Sequence, residues 1–195
     1  MKKVNRRIFE VLKENMAVKE AYLSDLARLE ILQQVVDHTV SVFRNEGKVL
    51  FCGNGGSAAD AQHIAAELSG RFYVDRPPLF AEALHVNTSF LTAVANDFSF
   101  EIAFARMVEA AGKKDDMLIL LSTSGNSPNI VNAAQKGKEL GMIVVGFTGE
   151  GGGKLKGLCH YCLEVPSRNT PRIQEMHITI GHILCELVEE EIFGS

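Results

Sequence analysis

Hydrophobic residues fall into two alternating patterns along this chain. Compact apolar runs stand at 49–52, 117–121 and 142–147, with less purely apolar stretches at 79–85 and 160–165. Runs of that length, bounded by glycine or polar turns, predict strands. Between them, apolar residues recur at every third or fourth position across 100–111, 130–140 and 171–192, the spacing of helices with one inward face. A shorter helix is predicted over 89–94, ended by Asn96 and Asp97. Residues 5–46 contain no glycine or proline, and Leu23, Leu26, Leu32, Val35, Val36, Val40 and Phe43 keep helical spacing. That predicts two helices breaking between 17 and 24, the second capped by Gly47. Strands alternating with helices imply an α/β fold whose parallel sheet is covered on both faces. The first two helices precede the first strand, so they are not crossovers. They form an arm (1–47) ahead of a sheet core (48–195), packed either on that core or on another subunit.

The stretch 49–71 holds the first candidate chemistry. Its strand leads into Gly53, Asn54, Gly55 and Gly56, and then into a helix for which Ser57 reads as the N-cap, with Asp60 completing a capping box. Free N–H groups and the positive end of a helix dipole suit an anion such as phosphate. Further along that helix His63 and Glu67 are four residues apart and share a face. Gly53, Gly55 and Ala58 also satisfy a dinucleotide-binding pattern. Its ribose-binding acid should end the second strand, yet Asp75 sits in the loop before that strand, which argues against a nicotinamide cofactor. A second loop, Ser122, Thr123, Ser124, Gly125, Asn126 and Ser127, also joins a strand end to a helix, with Pro128 at the first helical position. In an open α/β sheet, ligands bind beyond the carboxyl ends of the strands, so two such loops can grip one ligand. Neither carries the lysine of a nucleoside-triphosphate loop, which favours a sugar phosphate. The last predicted helix carries Arg172, Gln174, Glu175, His177 and His182. Gln174 and His182 point about 80° apart and Glu175 aligns better with His182, so spacing leaves open which pair enters a site, or whether the stripe is simply solvated.

Composition narrows the class. The 195 residues suit a single domain with a substantial core, and a net charge of −4 lacks the basic footprint of nucleic-acid binders. No apolar run approaches the roughly 18 residues that span a bilayer. The basic start runs into Glu10 and Glu14 instead of an apolar signal core, so a cytoplasmic protein is expected. Cys52 and Cys185 lie in apolar surroundings, as reduced core residues do. Cys159 and Cys162 form a C-x-x-C without the second pair that a structural zinc site needs.

Taken together, Cys-Gly-Asn-Gly-Gly-Ser at 52–57, Ala-Asn-Asp-Phe at 95–98, Ser-Thr-Ser-Gly-Asn-Ser at 122–127 and Arg-Ile-Gln-Glu-Met-His at 172–177 resemble the phosphoheptose isomerases of the sugar isomerase (SIS) domain superfamily. The likeness covers nearly the whole chain. It implies a single SIS domain over 1–195: a five-stranded parallel sheet flanked by helices, a flavodoxin-like three-layer sandwich, assembled as a homotetramer. It implies conversion of sedoheptulose 7-phosphate to D-glycero-D-manno-heptose 7-phosphate, the start of the bacterial route to activated heptose for surface glycans. By the same resemblance, Asn54, Gly55, Gly56 and Ser57 line the substrate site, Ser122, Thr123, Ser124 and Ser127 hold the phosphate, and Asn96 and Asp97 contact the sugar. Glu67 and His182 are the implied catalytic pair. His63, Glu67, Gln174 and His182 are implied zinc ligands, Glu67 and Gln174 also meeting substrate. Thr170-Pro171 departs from members with an acidic residue just before the arginine, which bears only on a secondary polar contact.

Two rivals follow from the same superfamily. A related adaptor binds the bacterial replication initiator; it resembles this chain at 61–63 and 172–177 but lacks the acid at the position of Glu67 and the histidine at that of His182. A sugar-phosphate sensor, or an isomerase of another phosphosugar, would need only the anion loops. Retention of both reactive residues favours the isomerase.

Overall fold

The computed structural model describes residues 4–194. Five strands, β1 (Val49–Gly53), β2 (Ala81–Ala83), β3 (Met117–Ser122), β4 (Ile143–Thr148) and β5 (Tyr161–Glu164), form one parallel sheet in the order β2-β1-β3-β4-β5. This is the expected flavodoxin-like order. The helices are α1 (Arg6–Leu23), α2 (Leu26–Arg44), α3 (Gly56–Ser69), α4 (Thr88–Asp97), α5 (Ala103–Ala111), α6 (Pro128–Glu139) and α7 (Thr170–Phe193), with tight 3₁₀ turns at Phe100–Ile102 and Gly153–Gly157.

Side chains alternate across the central strands and so build two cores. Val49, Phe51, Met117, Ile119, Leu121, Val145 and Phe147 face one layer with residues of α2, α3 and α7. Leu50, Cys52, Leu118, Leu120 and Val144 face the other, with Phe104 and Val108 of α5 and Ile130, Ala133 and Ala134 of α6. β1 and β3 are buried along their whole length, which is why their sequences read as unbroken apolar runs.

The two leading helices behave differently. α2 buries Leu32, Val35, Val36, Thr39, Val40 and Val42, and so covers the sheet. α1 buries only Tyr22 and leaves Ile8, Phe9, Leu12 and Met16 more than half exposed. It is tied down through α7: Arg172 Nη1 donates to the Val11 carbonyl (3.2 Å), and Asn15 Nδ2 donates to Glu175 Oε2 (2.6 Å).

Two helix ends differ from their sequence reading. α2 closes with the Gly47 N–H on the Val42 carbonyl (2.9 Å) and the Glu46 N–H on that of Phe43 (3.1 Å). That is a Schellman motif, and the left-handed position belongs to Glu46 (φ 58°), one residue before the expected glycine cap. α3 starts at Gly56 with Gly55 at the cap, and no side chain caps it. Ser57 is instead buried inside the first turn, and the expected capping box with Asp60 does not form. Gly55, at φ 56° and ψ −122°, turns the chain into the helix earlier than a side-chain cap would. No helix among the described residues is long and apolar enough to cross a membrane.

Candidate active site

The strand order reverses between β1 and β3, which opens a crevice at their carboxyl ends. Both candidate loops stand there. Asn54 and Asn129 join them through a reciprocal amide pair: each Nδ2 donates to the other's Oδ1 at 2.9 Å. Asn129 is buried and its Oδ1 also accepts the Ile130 N–H (3.0 Å). Sequence reasoning passed over Asn129; a lone polar residue behind Pro128 in a helical pattern carries no signal of a partner on another loop. A cleft of about 320 Å³ lies between the loops, lined by Asn54, Phe100, Glu101, Ser127, Pro128 and Asn129.

The serine loop is braced from within. Ser122 Oγ and Ser127 Oγ lie 3.3 Å apart, and the Asn126 N–H donates to Ser124 Oγ (3.2 Å). Gly125 sits at φ 63° against the 149–153 turn, where a Cβ would fall 2.6 Å from the Gly152 carbonyl carbon. Thr123 turns its carbonyl to the Gly149 N–H (3.0 Å). Gly55 and Gly56 are exposed at the start of α3. Asn96 and Asp97 close α4 at the surface, with Asn96 Nδ2 donating to Asp97 Oδ1 (2.8 Å).

A second constellation lies further along α3. His63 Nε2 is 3.1 Å from Glu67 Oε1 and 3.0 Å from His182 Nε2. One ligand atom from each of the three residues lies within 4.8 Å of the others. Four ligands at about 2.0–2.2 Å around tetrahedral zinc stand about 3.3 Å from one another, so these spacings fit one small ion. Two imidazoles and a carboxylate are a donor set used by catalytic zinc, with a coordination position left over. Phe72 lies beside them, its ring 5.7 Å from that of His182. The packing that brings α7 to α3 turns on Gly181, where a Cβ would fall 2.6 Å from Ile64 Cγ1.

Gln174 does not join this cluster within one chain. It packs at the start of α3, where a Cβ on Gly56 would lie 2.6 Å from its Nε2. Eight residues of helix, about 12 Å at the usual rise, separate it from His182. Glu175 is occupied elsewhere, accepting from Arg172 Nη2 (2.6 Å) and from Asn15. His177 is a core residue: burial pushes its imidazole down to about 4, partly opposed by the hydrogen bond between Nε2 and the Thr148 carbonyl (3.2 Å). Asp60, one turn before His63, is raised above the usual carboxylate range by burial, with His63 opposing. Burial likewise pushes the Cys159 thiol up to about 12 and raises that of Cys162, so neither is a ready thiolate.

Comparison with known proteins bears on this geometry. A family model described as SIS domain matches residues 17–149. The chain is 52% identical over 192 residues to a phosphoheptose isomerase of Aneurinibacillus thermoaerophilus, covering 98% of this chain and 97% of that protein. It is 51% identical over 184 residues to one from Clostridium acetobutylicum, covering 94% of each. Among solved structures, a phosphoheptose isomerase from Francisella tularensis superposes with a TM-score of 0.90 at 37% identity, and one from Neisseria gonorrhoeae with 0.88 at 38%. Each match covers 94% of this chain and 97% of the other.

Proposed function

The chain belongs to the SIS-domain family of phosphoheptose isomerases, and from that premise we infer that it is an aldose–ketose isomerase converting sedoheptulose 7-phosphate to D-glycero-D-manno-heptose 7-phosphate. The observation that carries the reading is the close grouping of His63, Glu67 and His182 on a fold with paired anion loops. An adaptor with no chemistry to perform has no use for that grouping.

The proposed division of labour follows from residue chemistry. Ser122, Thr123, Ser124 and Ser127 hold the phosphate with the N-terminus of α6, and Asn54, Gly55, Gly56 and Ser57 line the site beside them. Asn96 and Asp97 hydrogen-bond sugar hydroxyls, and Gln174 contacts the substrate from α7. Held remotely by its phosphate, the sugar presents C1 and C2 in register. Glu67 and His182 share the proton transfers. A proton leaves C1 while O2 gains one, giving the enediol; O1 then loses a proton and C2 gains one, giving the aldose. Each such group contributes about 10²–10⁴-fold. Zinc bound by His63, Glu67 and His182, with Gln174 as a weak fourth ligand, would polarise the carbonyl and favour the enediolate. Since Gln174 and the cluster lie apart in one chain, Gln174 would reach that cluster only from a second copy. The exposed apolar positions of α1 support assembly, which we take to be a homotetramer with sites near subunit boundaries. We place the enzyme in the cytoplasm, supplying heptose for surface glycans.

Incubation of the purified protein with sedoheptulose 7-phosphate, followed by detection of the aldose phosphate, tests the reading. Product formation is expected; its absence at saturating substrate and zinc would overturn the isomerase assignment.

A further inference from the structure

We propose that Arg76 and Glu189 are positioning residues for this isomerase, a buried ion pair that sets the backbone of Glu67 and the His182 stretch of α7 in one frame. The proposal rests on the assignment of Glu67 and His182 as proton-transfer groups.

Arg76 Nε donates to Glu189 Oε2 at 2.9 Å, with side chains 2% and 4% exposed. The rest of the guanidinium turns mainly to the end of α3, Nη1 also meeting the Pro77 carbonyl (3.1 Å). Nη2 donates to the carbonyl of Glu67 itself (3.0 Å) and Nη1 to that of Leu68 (2.8 Å). The last carbonyls of a helix lack partners within it, and a cation there also meets the negative end of the dipole. Arg76 is therefore the C-terminal cap of the helix that carries His63 and Glu67, and its fork reaches the residue where the carboxylate begins.

Glu189 completes the frame from the other side. It lies two turns beyond His182 on α7, so both occupy the same helix face. Its two oxygens accept the N–H groups of Phe72 (3.0 Å), Tyr73 (2.7 Å) and Val74 (3.0 Å) besides Arg76. Four donors saturate the carboxylate. The Phe72 backbone it fixes places the Phe72 ring beside His182. One ion pair thus touches the mainchain of one reactive residue, the helix of another and, through the Phe72 backbone, the ring that lies beside His182. The paired anion loops sit at the opposite end of α3, beyond its reach.

A buried ion pair is weak evidence for stability, because desolvation offsets most of its attraction. Its placement makes a sharper claim: the pair should act on turnover and leave substrate binding alone. The first variant is Arg76→Lys, which keeps a cation for Glu189 but has no fork to reach Glu67 and Leu68 together. The second is Glu189→Gln, which keeps the shape and loses the charge. In each, kcat for sedoheptulose 7-phosphate, per mole of protein folded by circular dichroism, should fall at least tenfold while KM stays within twofold. A purely structural pair would lower the melting temperature and leave kcat per folded molecule unchanged; that result overturns the proposal. So would a parallel change of kcat and KM, or failure of both variants to fold at low temperature. An inactive wild type would instead strike the isomerase reading itself.

Discussion

Gly181→Ala is the sharpest probe of how the fold brings His63, Glu67 and His182 together. Two effects oppose each other. Alanine is the better helix former, worth about 1 kcal/mol over glycine in a helix interior. The added methyl, however, falls 2.6 Å from Ile64 Cγ1, against about 3.5–4.0 Å for an ordinary carbon contact. α7 and α3 must part by about 1 Å or Ile64 must leave its rotamer, and such overpacking costs about 1–3 kcal/mol. Overpacking cancels or outweighs the propensity gain, for a net loss of about 0–2 kcal/mol. The functional cost is larger, because His63 neighbours Ile64 and His182 neighbours Gly181. A displacement of about 1 Å at reacting groups costs about 10²-fold in rate. Urea denaturation and steady-state turnover read the two effects separately. Ile64→Ala in the same chain removes the clashing carbons, so the double variant should regain most of the turnover and cost less stability than the sum of the singles. Wild-type turnover in Gly181→Ala, or strictly additive stabilities, would refute the claim that this contact sets the cluster.

Ser124→Ala should raise KM for the sugar phosphate more than it lowers kcat, since a remote phosphate contact is mostly uniform binding; an unchanged KM removes Ser124 from the phosphate site. Asn129→Ala should also raise KM, by unlocking Asn54 from the start of α6, and a binding titration with substrate checks it. Burial alone would raise the Glu189 carboxyl, but the N–H groups of Phe72, Tyr73 and Val74 and the Arg76 guanidinium prevail and hold it at about 2, down from an ordinary 4.5. Its contribution to stability is therefore complete above about pH 4.5 and is lost as pH falls towards 2, worth roughly 3 kcal/mol; Glu189→Gln should flatten that acid limb in a melting-temperature series. His63→Ala should lower zinc content after dialysis, with excess zinc restoring part of the activity; equal zinc in both proteins removes His63 from the ligand set.

The sheet was legible because its central strands are buried on both faces, so 49–52 and 117–121 had to be apolar throughout. His63 and Glu67 were legible too, being one helical turn apart in sequence. His182 was legible through the family resemblance alone, because no spacing along the chain ties it to α3. His182 arrives through the packing of α7 on α3 at Gly181, a contact between residues with no sequence relation. The same packing carries Gln174 to the other end of α3, which angular arithmetic along one helix cannot foresee. Local rules failed where a glycine allowed a tighter solution: Gly55 turns the chain into α3 before Ser57 can cap it. At the end of α2 the general preference for glycine pointed to Gly47, while the left-handed residue is Glu46.

Running the isomerisation of sedoheptulose 7-phosphate in deuterium oxide tests the proposed chemistry most directly. An enediol formed by Glu67 and His182 exchanges its mobile proton with solvent, so the aldose should carry deuterium at C2. Glu67→Gln, correctly folded and supplied with zinc, should neither isomerise the sugar nor exchange its C1 hydrogen. Full turnover by Glu67→Gln, or exchange of the C1 hydrogen by that variant at the wild-type rate, would contradict proton transfer by this cluster.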